Sequence, residues 1–522
     1  MKPGVIIPFV LLFIVVVHGQ WPYNPYKRTY GAIWPLPQEI QTSSKVWSIN
    51  PESFKIVSDY QCDITTDAIN RYIKRLFPIA HERLSHPTEN VLEALYIIVQ
   101  IICPIDFPSL KMDESYKLDV TRKTAVLKAN EVWGALRGLE SFSHMVYYNK
   151  TSGYQIRAEI VKDFPRFPHR GVLLDTARHF LSVNALKGNI DLMAQNKFNV
   201  FHWHMTDTES CPYSSRVLPK LDHGAYDDKH KYTIEEITDV IAYARLRGVR
   251  VIPEFDSPAH AGSWGKGYPN VLAKCFAEGS ADSYEGGIVD PTNNETWDFL
   301  ETLFQEVYKV FPDQFIHIGG DEANYWFEPC WENNKNISDF MKVSHICMPY
   351  FVQQIVKNET DLRFNQTDSK KEISLSCSLC DSIVHVWQGN SYYEMMEYMY
   401  RVTAAGKFAI LSSCWYMDYS YGLNDWVLFY QCDPQGFAGS ETQKALVLGG
   451  AAILWGEWVD ETNMFPRLWP RTSAVAERLW SSPNLTKFPN DAWPRMVSRG
   501  YPVQPSYGPG FCDLEYRAKL PI

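Results

Sequence analysis

The sequence predicts a (β/α)8 barrel preceded by a smaller α+β domain. From Arg170 onward, short apolar runs alternate with stretches of helical length. That alternation over several hundred residues is the pattern of strands joined by crossover helices. Polar and aromatic residues also collect at the C-terminal ends of those runs, where the strands of a barrel converge on one mouth. The residues before Arg170 mix strand-like and helical runs without regular alternation, as an α+β domain does. A doubly wound sheet is the competing architecture, since it too alternates strands and helices.

Taken in chain order, Lys2 followed by an apolar run from Val5 to Val17 and then His18, Gly19 and Gln20 has the zones of a secretory signal peptide, placed over residues 1–19. The run is too short to span a bilayer comfortably. The α+β domain is assigned to residues 20–162. Its strand-like pieces are 54–57 and 94–102, and its helical pieces span 67–77 and 131–148. A hairpin is expected from 117–120 and 124–127. Residues 163–169, with two prolines, read as a linker, and residues 163–522 are assigned to the barrel. Barrel strands are expected at 171–175, 199–204, 249–255, 315–318, 383–387, 408–411 and 451–455, with helices over 233–246 and 294–310 among the connections.

At 522 residues with 50 Lys plus Arg against 60 Asp plus Glu, the chain carries a formal charge of -10 and no basic run. A nucleic-acid partner is therefore not expected, and neither is a stable membrane anchor. N-x-Ser/Thr acceptors at Asn149, Asn294, Asn336, Asn358, Asn365 and Asn484 agree with passage through the secretory pathway. The 11 cysteines are an odd number, so at least one is free or pairs between chains.

The run from Phe315 to Glu322 holds the sharpest chemical signal. An alternating apolar stretch ends in Gly319 and Gly320 and then presents Asp321 and Glu322. Glycine permits close backbone approach, and two adjacent carboxylates at a strand end suit acid–base work better than packing. A solvated acidic turn is the plain alternative. It loses ground because Asp175, Arg178, His204, Asp207, Glu254, Asp256, His260, Trp387, Trp455 and Glu457 fall at the ends of the other expected strands. His202 and His204 stand two apart on one strand, but no third residue has convincing metal-ligand spacing.

These stretches resemble glycoside hydrolase family 20, and specifically the animal lysosomal-type β-N-acetylhexosaminidase subunits. The matching segments are 166–171, 174–179, 199–204, 243–248, 254–256, 317–322, 454–457, 466–471 and 476–480. The resemblance implies removal of terminal β-linked N-acetylglucosamine or N-acetylgalactosamine with retention, in which the substrate's acetamido oxygen attacks the anomeric carbon. It implies glycan substrates (glycoproteins, glycolipids and chito-oligosaccharides), a homo- or heterodimer, no cofactor and no metal. By the same resemblance Glu322 is the acid–base residue and Asp321 orients the acetamido group. Arg178 contacts sugar hydroxyls, while Asp207 and His260 support the acid. Trp387 and Trp455 wall the pocket, Tyr416 holds the acetamido oxygen, and Asp418 and Glu457 accept from outer hydroxyls. Disulfides Cys62–Cys103 and Cys275–Cys330 are implied, as is a lysosomal or secreted location.

One family subunit type that accepts anionic substrates has a basic residue after the Asp418 position; here it is Tyr419, which points to neutral substrates. The chain departs from the family pattern at 358–381, which lacks a pocket tryptophan and leaves one barrel strand doubtful, and near Cys512, which lacks its expected partner. The alternative function that follows from the first departure is a non-catalytic carbohydrate-binding protein.

Overall fold

The computed structural model describes residues 32–78, 90–101, 103, 106–277, 283–322, 328–344, 382–419, 425–483 and 492–505. The signal segment, the 358–381 region, Asn358, Asn365, Asn484 and Cys512 lie outside these residues.

The N-terminal part is an eight-stranded mixed sheet. Its strands run in the order Lys55–Ser58, Ala94–Val99, Thr124–Ala129, Tyr116–Asp119, Gly153–Asp163, Glu39–Ile49 and Val91–Leu92, with Tyr147–Asn149 paired to Gly153–Asp163. The hairpin expected from 117–127 is present, Tyr116–Asp119 pairing antiparallel with Thr124–Ala129. Helices Asp63–Leu76 and Val132–Met145 cover the sheet and bury Ile64, Ala68, Leu136, Leu139 and Phe142 in a core of their own.

Four strands of this part escape the sequence patterns, Glu39–Ile49, Val91–Leu92, Tyr147–Asn149 and Gly153–Asp163, and the third lies where the helical piece 131–148 is expected to continue, the helix ending instead at Met145. Glu39–Ile49 is exposed along its first seven residues, so it carries no period-two apolar signal there. Pairing with Gly153–Asp163 makes it a strand. Asp163, read as the start of a linker, is the last residue of that partner strand, and its buried carboxylate accepts from Lys197 Nζ at 2.7 Å and Trp480 Nε1 at 3.0 Å.

The second part is the (β/α)8 barrel. Among the described residues, six parallel strands are ordered Arg250–Phe255, Val200–Thr206, His169–Asp175, Val447–Leu454, Phe408–Leu411 and Ile383–Val386. The first three of these are buried at every position, as parallel strands covered on both faces must be. Phe315–Ile318 sits beside the first of them as a single bridge, Glu254 to His317, rather than as a full strand. His317 N–H donates to Pro253 O at 2.9 Å, and Phe255 N–H donates to His317 O at 3.3 Å. On its other flank His317 Nε2 lies 3.1 Å from His385 Nδ1, which brings the Ile383–Val386 strand close.

The connecting helices form where caps and apolar stripes coincide. Ile234–Arg245 begins with a capping box between Thr233 and Glu236, and Asn294–Val310 begins with the Asn293 side chain accepting from Glu295 N–H. Each buries one face, for example Phe299, Leu300, Leu303 and Val307 on the latter.

Buried charge joins the two parts. Glu114 from the N-terminal part receives Arg137 Nε at 2.8 Å and Arg170 Nη2 at 2.6 Å, the latter from the first barrel strand. Both arginine partners are needed, because a lone buried carboxylate would cost several kcal/mol of desolvation.

Candidate active site

Strand register sets the site. His204 pairs with Asp175 on one side and Glu254 on the other, and Glu254 bridges to His317. Paired residues in neighbouring strands point to the same face. The four therefore form one polar layer across the barrel interior, just below the mouth.

In that layer Glu254 is an anion held by imidazoles. Its carboxylate lies 2.7 Å from His202 Nε2, 3.1 Å from His204 Nδ1 and 2.9 Å from His317 Nδ1. Burial alone would raise its pKa, but the three histidines hold it well below the usual carboxylate range. Burial lowers His202 to about 4, whereas His204 and His317 are raised, because Glu254 outweighs the burial that opposes their charge. His202, Glu254 and His317 are grouped closely enough to be examined as metal ligands. The 2.7 and 2.9 Å contacts are direct hydrogen-bond spacings. They are shorter than the ligand–ligand edge of about 3.3 Å that tetrahedral bonds of about 2.0 Å impose.

Above the layer, Asp207 and His260 form a relay. Asp207 accepts from His204 Nε2 at 3.0 Å, and its other oxygen lies 3.0 Å from His260 Nδ1. His260 Nε2 then faces Glu322 Oε2 at 3.3 Å and Asp321 Oδ2 at 3.9 Å. Burial pushes Asp207 up, but its bonds to His204 and His260 overcome this and hold it below the ordinary range. Asp207 in turn raises His260 against the effect of burial. His260 and Glu322 both adopt a left-handed backbone, φ 58° and 52°. Such a conformation costs a non-glycine residue on the order of 1 kcal/mol and collects at functional sites. The Glu322 side chain is 54% exposed, the accessibility a proton carrier needs.

Arg178 closes the opposite side. Its guanidinium meets Asp175 at 3.0 Å, Asp207 at 2.7 Å and Glu209 at 3.2 Å. The Asp175 ion pair, which a purely structural arginine would make, exists together with two further carboxylate contacts. Arg178 also lies over the Trp455 ring at 5.2 Å, and Trp455 meets His204 edge-on at 5.0 Å. Tyr416 bridges to Ile453, and its phenol is in hydrogen-bonding contact with Trp455. Burial holds that phenol protonated as a donor. Asp418 is half-buried, and burial pushes its carboxyl up to about 6, with the exposed Glu457 adding to the rise. Trp387 and Tyr416 line one cleft of about 1170 Å3 with Tyr419 at its rim.

The ten expected site residues thus surround a single mouth. Glu209 was not anticipated, although its place two residues after Asp207 on a strand-end loop is the available signal. His317 opens the matching segment 317–322 and His385 interrupts an apolar run, but neither was expected at the site, and their contact depends on the barrel closing. Cys62–Cys103 and Cys275–Cys330 are bonded, and a third disulfide, Cys414–Cys432, joins the two sides of the loop that carries Tyr416 and Asp418. Cys211 is buried and free.

A barrel with carboxylates and an imidazole relay at its C-terminal mouth has the groups that acid–base chemistry needs, and the family match makes it a glycoside hydrolase. Residues 167–483 match the glycosyl hydrolase family 20 catalytic domain, and residues 33–145 match a domain described as beta-acetyl hexosaminidase like. The chain belongs to glycosyl hydrolase family 20. It is 40% identical to Beta-hexosaminidase A of Caenorhabditis elegans, covering 98% of each chain. It is 41% identical to Beta-hexosaminidase subunit beta of Homo sapiens, covering 93% of this chain and 90% of that one. Among solved structures, the chitobiase of Flavobacterium johnsoniae superposes with a TM-score of 0.73 at 28% identity, over 88% of this chain and 71% of that one.

Proposed function

We propose that this glycoside hydrolase is a β-N-acetylhexosaminidase that removes terminal β-linked N-acetylglucosamine or N-acetylgalactosamine by substrate-assisted catalysis. The supporting observation is the chain Asp207–His260–Glu322, with contacts of 3.0 and 3.3 Å, ending beside Asp321. Glu322 protonates the glycosidic oxygen as the bond to the anomeric carbon breaks, and the acetamido oxygen forms the new bond to that carbon. Asp321 orients the acetamido N–H and balances the positive charge developing on it, a preorganised anion that needs no rearrangement. Glu322 then takes a proton from the water that opens the oxazolinium ring, which restores the acid and retains configuration. Tyr416 donates to the acetamido oxygen, Trp387 and Trp455 pack the sugar face, and Arg178, Asp418 and Glu457 bind its outer hydroxyls.

Neutral substrates are preferred, because Tyr419, 57% exposed beside Tyr416, carries no charge where the anion-accepting subunit type has a basic residue. The setting is lysosomal or secreted, the enzyme pairs with itself or a related subunit, and Asn294 and Asn336, both exposed, carry glycans together with Asn149. No described helix is long and apolar enough to cross a membrane.

The test is turnover of a chromogenic N-acetyl-β-glucosaminide by wild type and Glu322→Gln, with the analogue lacking the acetamido group alongside. Wild type is expected to hydrolyse only the acetamido substrate, and Glu322→Gln to lose at least about a hundredfold in kcat/KM. Equal rates for wild type and variant would remove Glu322 from its role. Sugar binding without turnover by wild type would identify a carbohydrate-binding protein instead.

A further inference from the structure

We propose that Asp256 is a positioning residue of this site, a neutral carboxylic acid that lends its proton as a hydrogen bond to the Asp321 carboxylate beneath the Gly319–Gly320 turn. The inference rests on the reading of Asp321 as the anion that faces the acetamido group.

Asp256 follows the strand Arg250–Phe255 directly and is only 1% exposed. Its Oδ1 accepts the Gly320 N–H at 2.9 Å, which ties it to the turn that delivers Asp321. Its Oδ2 is buried and receives no donor among the described residues, so the polar partner left to this carboxyl is Asp321, with which it is in hydrogen-bonding contact. One oxygen from each of Glu254, Asp256 and Asp321 lies within 4.8 Å of the other two. Three carboxyl groups this close, two of them buried and Asp321 only partly exposed, do not all ionise, because like charges and burial both favour retaining a proton.

The surroundings decide where that proton sits. Glu254 is held as an anion by His202, His204 and His317. Asp207 has Arg178, His204 and His260 as partners. Facing Asp256 are Asp321 from the turn, Glu254 and His260 from its own segment, and His204 and Asp207 from the neighbouring strand. The two histidines spend their polar contacts on Glu254, Asp207 and Glu322, so no cation is committed to Asp256. Burial first, and then Asp321 and Glu254, push Asp256 well above the ordinary carboxylate range.

This placement also accounts for the first glycine of the signature run. A Cβ on Gly319 would fall 1.8 Å from Asp256 Oδ1, so the carboxyl occupies the space a side chain would need. Gly319 has φ +67° as well, a conformation that glycine adopts at no steric cost.

Asp256→Asn tests the inference, since its amide donates to Asp321 permanently while its oxygen still accepts from Gly320. The pH profile of kcat/KM on the chromogenic substrate is measured for wild type, Asp256→Asn, Asp256→Ala and Asp321→Asn. Asp256→Asn is expected to stay within about fivefold of wild type at acid pH, and Asp256→Ala to lose about a hundredfold, the usual cost of removing one preorganised donor. Wild type is expected to fall off on the alkaline side as Asp256 ionises, and Asp256→Asn to retain activity there. An infrared band of a protonated carboxyl present in wild type and missing in Asp256→Asn gives the same answer without turnover. The inference is overturned if Asp256→Asn loses as much as Asp321→Asn, or if its alkaline limb matches wild type. Undiminished activity of Asp321→Asn would instead sink the reading of Asp321 itself.

Discussion

At the scale of single residues, the carboxyl groups of the barrel mouth are held in different charge states by their different surroundings. Glu254 and Asp207 are surrounded by imidazole and guanidinium and stay ionised, whereas Asp418, half-buried with Glu457 as a negative neighbour, is pushed up to about 6. The rim follows the same logic, since Tyr419 adds bulk without charge. Tyr419→Arg is therefore expected to raise turnover of a 6-sulfated N-acetylglucosaminide relative to the neutral one by about tenfold, through a charge-assisted contact worth roughly 1.4 kcal/mol. The ratio of kcat/KM values on the two substrates checks it. A ratio unchanged by the arginine would place Tyr419 away from the substituent.

Secondary-structure elements supply the site through their ends. The strands His169–Asp175, Val200–Thr206 and Arg250–Phe255 were legible because full burial makes continuous apolar runs broken only by the polar layer. Phe315–Ile318 has an equally clear pattern, yet it makes only one bridge among the described residues, because a ladder needs a neighbouring strand in register and local alternation does not report one. The loop after Phe408–Leu411 had no signal for its constraint. Cys414 and Cys432 stand 18 residues apart, and their bond closes a loop holding Tyr416 and Asp418. Closing a loop of this length contributes about 3 kcal/mol in the chain-entropy model. The double variant Cys414→Ser with Cys432→Ser should lower Tm and raise KM more than it lowers kcat, as Tyr416, the proposed donor to the acetamido oxygen, loses its fixed place. Thermal melting and steady-state kinetics measure both, and an unchanged KM would separate the disulfide from the substrate.

Considered as a whole molecule, the chain is two cores locked by buried charge. Glu477 sits in that junction, 1% exposed, accepting Leu36 N–H at 2.9 Å. Burial raises its pKa to about 8, against the opposing Leu36 bond and Lys197. An unfolded glutamate titrates near 4.3. The folded state thus binds the proton more tightly, so this contribution to stability is complete below about 4.3 and is lost as pH rises towards 8. Through Glu477 wild type should lose stability from pH 5 to pH 8, while buried histidines such as His144 and His202, which burial depresses, regain some over the same range. Glu477→Gln should flatten that dependence by a few kcal/mol, taking about 1.4 kcal/mol per pKa unit. Calorimetry across the range decides it, and an identical slope in wild type and variant would exclude Glu477 as the source.

The sequence by itself determined the alternation of apolar runs and the Gly-Gly-Asp-Glu turn, together with the residue types waiting at each strand end. These are local properties, since burial along one segment imprints its own periodicity. Tertiary structure alone decided that the largely exposed run Glu39–Ile49 is a strand, that Cys414 meets Cys432, and that Asp256 lies under a glycine 63 to 64 positions later. Each of these depends on contacts between segments distant in sequence. Proton placement among neighbouring carboxyls depends on every charge around them, and that environment exists only once the barrel has closed.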